Sequence, residues 1–136
     1  MSALVVGYDG TAGARAAIRE AARLAPLLDA PVVVAFAFGT SPVGGEVADL
    51  SATLRERGEA LLEEGTSALR AAGVEVRGEL LDMKAAEGLV ALAEREDAQM
   101  IVVGTYGERP LKAMLIGSTP NKLVHLSERP VLVVRG

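Results

Sequence analysis

The chain contains no cysteine, no tryptophan and a single histidine, His125. Without cysteine there is no disulfide framework, no thiol catalysis and no iron–sulfur centre. One imidazole has no second His or Cys with which to build a conventional transition-metal site. Aromatic residues make up 3% of the sequence, with Tyr8, Tyr106, Phe36 and Phe38 as the whole supply. That is too few for the ring platforms on which single-stranded nucleic acid stacks. The formal charge is −4, so nucleic acid is not an expected partner. No apolar run reaches the ~20 residues needed to cross a bilayer. Met1-Ser2-Ala3 leads straight into apolar residues, without a positively charged leader. The expectation is a soluble cytoplasmic protein with no membrane partner.

What is present is aliphatic. Of 136 residues, 50% are hydrophobic and 24% charged, which fits one domain over residues 1–136 with a core of Val, Leu, Ile and Ala. Residues 4–8 form an apolar run closed by Asp9-Gly10-Thr11, a buried strand and a sharp turn. Thr11 is placed to cap a helix whose apolar stripe runs through Ala14, Ala17, Ile18, Ala21 and Ala25. Pro31 opens a continuous apolar run at 32–38, the pattern of a parallel strand covered on both faces. After a Gly- and Pro-rich loop at 39–49, a helix is predicted over 50–72. Gly58 and Gly65 each cost it about 1 kcal/mol against Ala, and Gly73 ends it. Residues 74–81 alternate apolar and charged as an outer strand does, 85–96 are amphipathic and 100–103 are again a buried run. Residues 104–117 are turn-rich, and 118–127 and 130–134 read as a last helix and strand. The alternation implies an α/β doubly wound domain, a five-stranded parallel sheet with helices on both faces.

In such a sheet, ligands bind beyond the carboxyl ends of the strands, where the strand order reverses. One loop there carries Asp9-Gly10-Thr11. Another carries Gly104-Thr105-Tyr106-Gly107, then nine residues, then Gly117-Ser118 at a helix start. Glycines let a ligand approach the backbone, and the free N–H groups and positive dipole end of a helix favour phosphate. Arg109, Lys112, Lys122 and Arg129 against Glu108 and Glu128 give residues 104–129 a net +2 inside a chain of −4. The same residues also read as ordinary helix punctuation, with Ser118 at an N-cap. Neither a G-x-G-x-x-G turn after the first strand nor a Walker P-loop is present. No base is placed beside a nucleophile, since His125 falls about two turns along the last helix.

The glycine spacing resembles the nucleotide motif of the universal stress protein family, G-x-x-G, nine residues, then G-S or G-T. Val5-Val6-Gly7-Tyr8-Asp9-Gly10-Thr11 is similar to the family's opening V-x-V-D-G-S, and Met100-Ile-Val-Val-Gly104 and Arg129-Pro-Val-Leu-Val-Val134 follow its order. The resemblance implies strand order 3-2-1-4-5. It also implies an adenine-nucleotide (ATP)-binding stress-response or signalling protein that is not an enzyme beyond slow ATP hydrolysis, with any Mg²⁺ held through the phosphates.

By the same resemblance Tyr8 and Asp9 lie beside the adenosine, and Ala37 offers its main-chain N–H and C=O to the adenine edge. Val103 and Gly104 line the site, and Met83, where the chain departs from the family's turn, is expected to project over the base. Gly107, Gly117, Ser118 and Thr119 wrap ribose and phosphates, with Arg109 as a charge partner. Three places depart from the family pattern. Tyr106 stands where relatives often carry Arg or His, and Met83-Lys84-Ala85 replaces a Gly-Asp-Pro type of turn. Pro120 replaces Ser or Thr and removes an N–H from the helix start. Family members commonly dimerise through the last strand, so a homodimer through Pro130-Val-Leu-Val-Val134 is expected, covering an apolar edge. The alternative is a dimeric interaction module whose pocket is vestigial.

Overall fold

The computed structural model describes residues 2–39, 46–105 and 118–136, with 46–49 as helical backbone alone. Among these, strands β1 (Leu4–Gly7), β2 (Val32–Ala37), β3 (Val76–Leu81), β4 (Met100–Gly104) and β5 (Val131–Val134) alternate with helices. The helices are α1 (Ala12–Leu28), α2 (Glu46–Ala71), α3 (Ala85–Arg95) and α4 (Ser118–Leu126). All strand pairs are parallel, in the order β3-β2-β1-β4-β5. This is the doubly wound α/β sheet expected from the sequence, in the order the family resemblance implied.

The continuous apolar strands follow from burial on both faces. Because side chains alternate along a strand, Leu4, Val6, Val34 and Phe36 pack with Ala17, Ile18 and Ala21 of α1 and Leu69 of α2. Val5, Val33, Ala35, Ile101 and Val103 pack on the other face with Leu89 and Leu92 of α3 and Leu123 of α4. Each of these large side chains is worth roughly 1.5–3 kcal/mol on burial. Helices α1 and α2 therefore share one face, and α3 and α4 the other.

Local chemistry sets the helix ends. Thr11 caps α1, its Oγ1 accepting from the Ala14 N–H at 3.2 Å. Helix α2 closes with Gly73 at φ +80°, the Gly73 N–H donating to the Arg70 carbonyl and the Val74 N–H to that of Leu69. This moves the start of β3 from the expected residue 74 to Val76, since Val74 is spent on the helix stop, where it is buried. The same pair of bonds ends α1 at Asp29 and α3 at Asp97, with φ of 52° and 49°. Helix α2 also begins four residues earlier than expected, at Glu46.

The two glycines that weaken α2 as a helix bring it close to the sheet. A Cβ on Gly58 would stand 2.5 Å from Cδ2 of Phe36 and 2.7 Å from Cδ2 of Leu80. Gly65 lies over the Tyr8 ring, 3.4 Å from where its own Cβ would be.

The two outer strands differ. β3 carries a lattice of charge: Arg77 pairs with Glu79 at 2.5 Å and with Glu96, and Arg95 reaches Glu79 at 3.0 Å. β5 presents only Val and Leu, all partly buried, and bonds to β4 on one side.

Replacing Gly58 by Ala tests the close approach. In an unhindered helix interior the change gains about 1 kcal/mol, whereas here the crowding of Phe36 is expected to reverse the sign and cost about 1–3 kcal/mol. Urea unfolding reads the difference, and a raised midpoint would show that α2 is not seated on β2 at this point.

Candidate functional site

β1 and β4 are neighbours, yet α1 leaves β1 on one face of the sheet and α4 leaves β4 on the other. Beyond their carboxyl ends lies a cleft of about 200 Å³. Of the residues expected at the site, Tyr8, Asp9, Ala37, Val103, Gly104, Ser118 and Thr119 line it. Met83 does not; it is 42% exposed, and Ala85 lines the wall after β3 instead. Gly107, Arg109 and Gly117, like Tyr106, lie outside the described residues.

Asp9 is a turn residue with one oxygen engaged. Its Oδ1 accepts from the Thr11 N–H at 3.1 Å and from the Thr11 hydroxyl at 2.6 Å, while that hydroxyl's oxygen accepts from Ala14. The helix cap thus fixes the carboxylate at the cleft wall. Gly104 proves to be a packing glycine as well as a lining one: a Cβ there would sit 2.6 Å from the Gly13 carbonyl oxygen, against the first turn of α1.

Ala37 owes its chemistry to register. Even-numbered residues of β2 turn their main chain to β3, as where the Phe38 N–H donates to the Leu81 carbonyl at 2.8 Å. Odd-numbered residues face β1, as where the Ala35 carbonyl accepts from the Tyr8 N–H at 2.9 Å. Ala37 is the next odd residue, and there β1 has already turned away through Asp9 and Gly10, the latter at φ +81°. Neither the N–H nor the C=O of Ala37 meets a main-chain partner among the described residues. One donor and one acceptor stand side by side in the cleft wall.

Tyr8 follows directly on β1, with its ring under α2. Its hydroxyl donates to Glu64 Oε1, an oxygen that Arg15 Nε also approaches to 3.5 Å. Burial, and then the neighbouring Glu64 carboxylate, push the phenol up to about 12, while the phenol's hydrogen bond holds Glu64 below the usual carboxylate range.

The sequence missed several wall residues, among them Gly7, Ala35, Phe36 and Leu89. They carry no chemical signature, and only the register places them there. The positive segment also needs correcting. Arg129 lies before β5, at the amino end of the sheet. Its Nη1 bonds Asp97 Oδ1 at 3.0 Å and the Ala98 carbonyl at 2.9 Å, so topology places it at the far end from the cleft. Lys122 is exposed on α4, and Lys112 falls outside the described residues. Nor does His125 line the cleft; it is exposed on α4.

The model of the universal stress protein family matches residues 1–135. A universal stress protein of Methanocaldococcus jannaschii is 30% identical over 137 residues, covering 97% of this chain and 81% of the relative. The solved structure of a universal stress protein from Archaeoglobus fulgidus in complex with dAMP superposes with a TM-score of 0.77 at 25% identity, covering 98% of both chains. A universal stress protein solved in complex with cAMP gives 0.73 at 28% identity, covering 98% of this chain and 96% of that one.

With Tyr106→Phe as background, absorbance titration follows Tyr8 alone and is expected to show ionisation near 12. The folded chain holds this proton more tightly than the unfolded chain. The contribution to stability is therefore complete below about pH 10 and is lost as pH climbs through about 12. Glu64→Gln should lower the value, leaving the burial effect. Titration at the ordinary tyrosine value would contradict the buried, Glu64-bonded phenol.

Proposed function

The chain belongs to the universal stress protein family, and from that premise we propose that it binds an adenine nucleotide in the cleft beyond β1 and β4, as a nucleotide-responsive module of stress response or signalling. The observation that carries the reading is the unpartnered main-chain pair of Ala37 at the cleft wall. Adenine presents a donor, its N6 amino group, beside an acceptor, N1, which complements a C=O beside an N–H. Guanine presents O6 and N1–H in those places, setting acceptor against acceptor and donor against donor. The small side chains of Gly7, Ala35 and Ala85 leave room for a flat ring, with Leu89 and Val103 as its apolar walls. Relatives of the same fold solved with dAMP and with cAMP support the same ligand class. ATP is within that class, with any Mg²⁺ held through its phosphates.

We read the cleft as a binding site rather than an active site. Asp9 and Tyr8 are its titratable wall residues among those described, and each is held in place by a neighbour, Asp9 Oδ1 by Thr11 and the Tyr8 hydroxyl by Glu64. We also propose a homodimer through β5, which pairs only with β4 among the described residues and whose four apolar residues are only partly buried in the single chain.

Titration calorimetry decides the first proposal. AMP is expected to give saturable heat and GMP to bind at least tenfold more weakly, about 1.4 kcal/mol; equal affinities would remove the role assigned to Ala37. Light scattering decides the second, with twice the 14.1 kDa chain mass expected at micromolar concentration. A dimer with no nucleotide heat would support the alternative, an interaction module whose pocket is vestigial.

A further inference from the structure

We infer that the cleft is built for the nucleoside rather than the phosphate chain, so that adenosine and AMP bind about as tightly as ADP and ATP. The inference rests on the adenine-nucleotide reading above and specifies which part of the ligand carries the affinity. Two wall residues argue for it.

The first is Pro120, buried in the first turn of α4 and lining the cleft. A helix start attracts phosphate oxygens through the N–H groups that have no partner within the helix. At the third position of α4 a pyrrolidine ring stands in the wall instead, with no N–H to give. The turn keeps the N–H groups of Ser118 and Thr119, but it meets the cleft with an apolar surface where a third donor would stand.

The second is Asp9, a partly buried carboxylate in the same wall. Thr11 engages its Oδ1 through the N–H at 3.1 Å and the hydroxyl at 2.6 Å, which fixes the group in the wall. A carboxylate accepts hydrogen bonds from ribose hydroxyls, and it repels each further phosphate that enters. Against these stands an inner wall suited to the base: Ala35, Leu89 and Val103, with the free main-chain pair of Ala37. Among the described wall residues, attraction is thus concentrated at the base and sugar, and they offer little gain per phosphate.

Calorimetry of the full chain with adenosine, AMP, ADP and ATP tests this. The four dissociation constants are expected to fall within about tenfold of one another, a spread of about 1.4 kcal/mol. Pro120→Ser, which restores an N–H and adds a hydroxyl, is expected to tighten ATP by about tenfold while leaving adenosine unchanged. Circular dichroism checks that the variant folds, and the wild-type series decides the matter if it does not. ATP binding more than a hundredfold tighter than adenosine would overturn the inference and leave the adenine-nucleotide reading intact. No binding by any of the four would overturn both.

Discussion

Because α1 and α4 leave neighbouring strands toward opposite faces of the sheet, neither helix covers the ground between the carboxyl ends of β1 and β4. That divergence is the constraint from which the cleft follows. Everything at its edges is arranged around it. β1 stops at Gly7 and turns through Asp9 and Gly10, which leaves the Ala37 main chain without its ladder partner. The carboxylate of Asp9 is fixed by the residue that caps α1. A turn, a cap and a vacated hydrogen-bonding edge are thus one local solution to the reversal of winding.

Close approach of backbone to backbone holds this arrangement in place. Alanines make up most of the buried face of α1, and glycines seat α2 over Phe36 and Tyr8. Gly104 meets Gly13 with no side chain between them. The loss of intrinsic helix propensity at Gly58 and Gly65 is the cost of contact with the sheet, and helix stability here comes from packing rather than from the helix itself.

Much of the architecture was legible because burial on both faces writes continuous apolar strands, and because Asp9-Gly10-Thr11, Pro31 and Gly73 mark the ends of elements. Boundaries were less so. Val74 looks like strand by its alternation, yet its N–H goes to Leu69, a competition that periodicity does not register. At the candidate site, Asp9, Ala37 and Ser118 could be placed from motif and resemblance. Ala35 and Leu89 could not, since an alanine or leucine in a cleft wall has the same sequence signature as one in the core. Gly104 is the instructive case. Its position in a glycine motif suggests a ligand, while its geometry shows that the missing Cβ also admits α1. The charge of 104–129 misled at Arg129, where position along the strand, not sign, decides which end of the sheet a side chain reaches.

The unlike edges of the sheet constrain any pairing between copies of the chain. β3 carries Arg77 and Glu79, tied to Arg95 and Glu96; such pairs add little stability at a surface. Their placement matters more, because an incoming strand would have to strip water from those charges before it could bond to β3. A sheet with one guarded edge and one edge open among the described residues can be extended once, by the same edge of a second copy about a two-fold axis, and then presents two guarded ends. With that asymmetry, an edge-to-edge assembly through β5 would end at a pair rather than run on into a fibre.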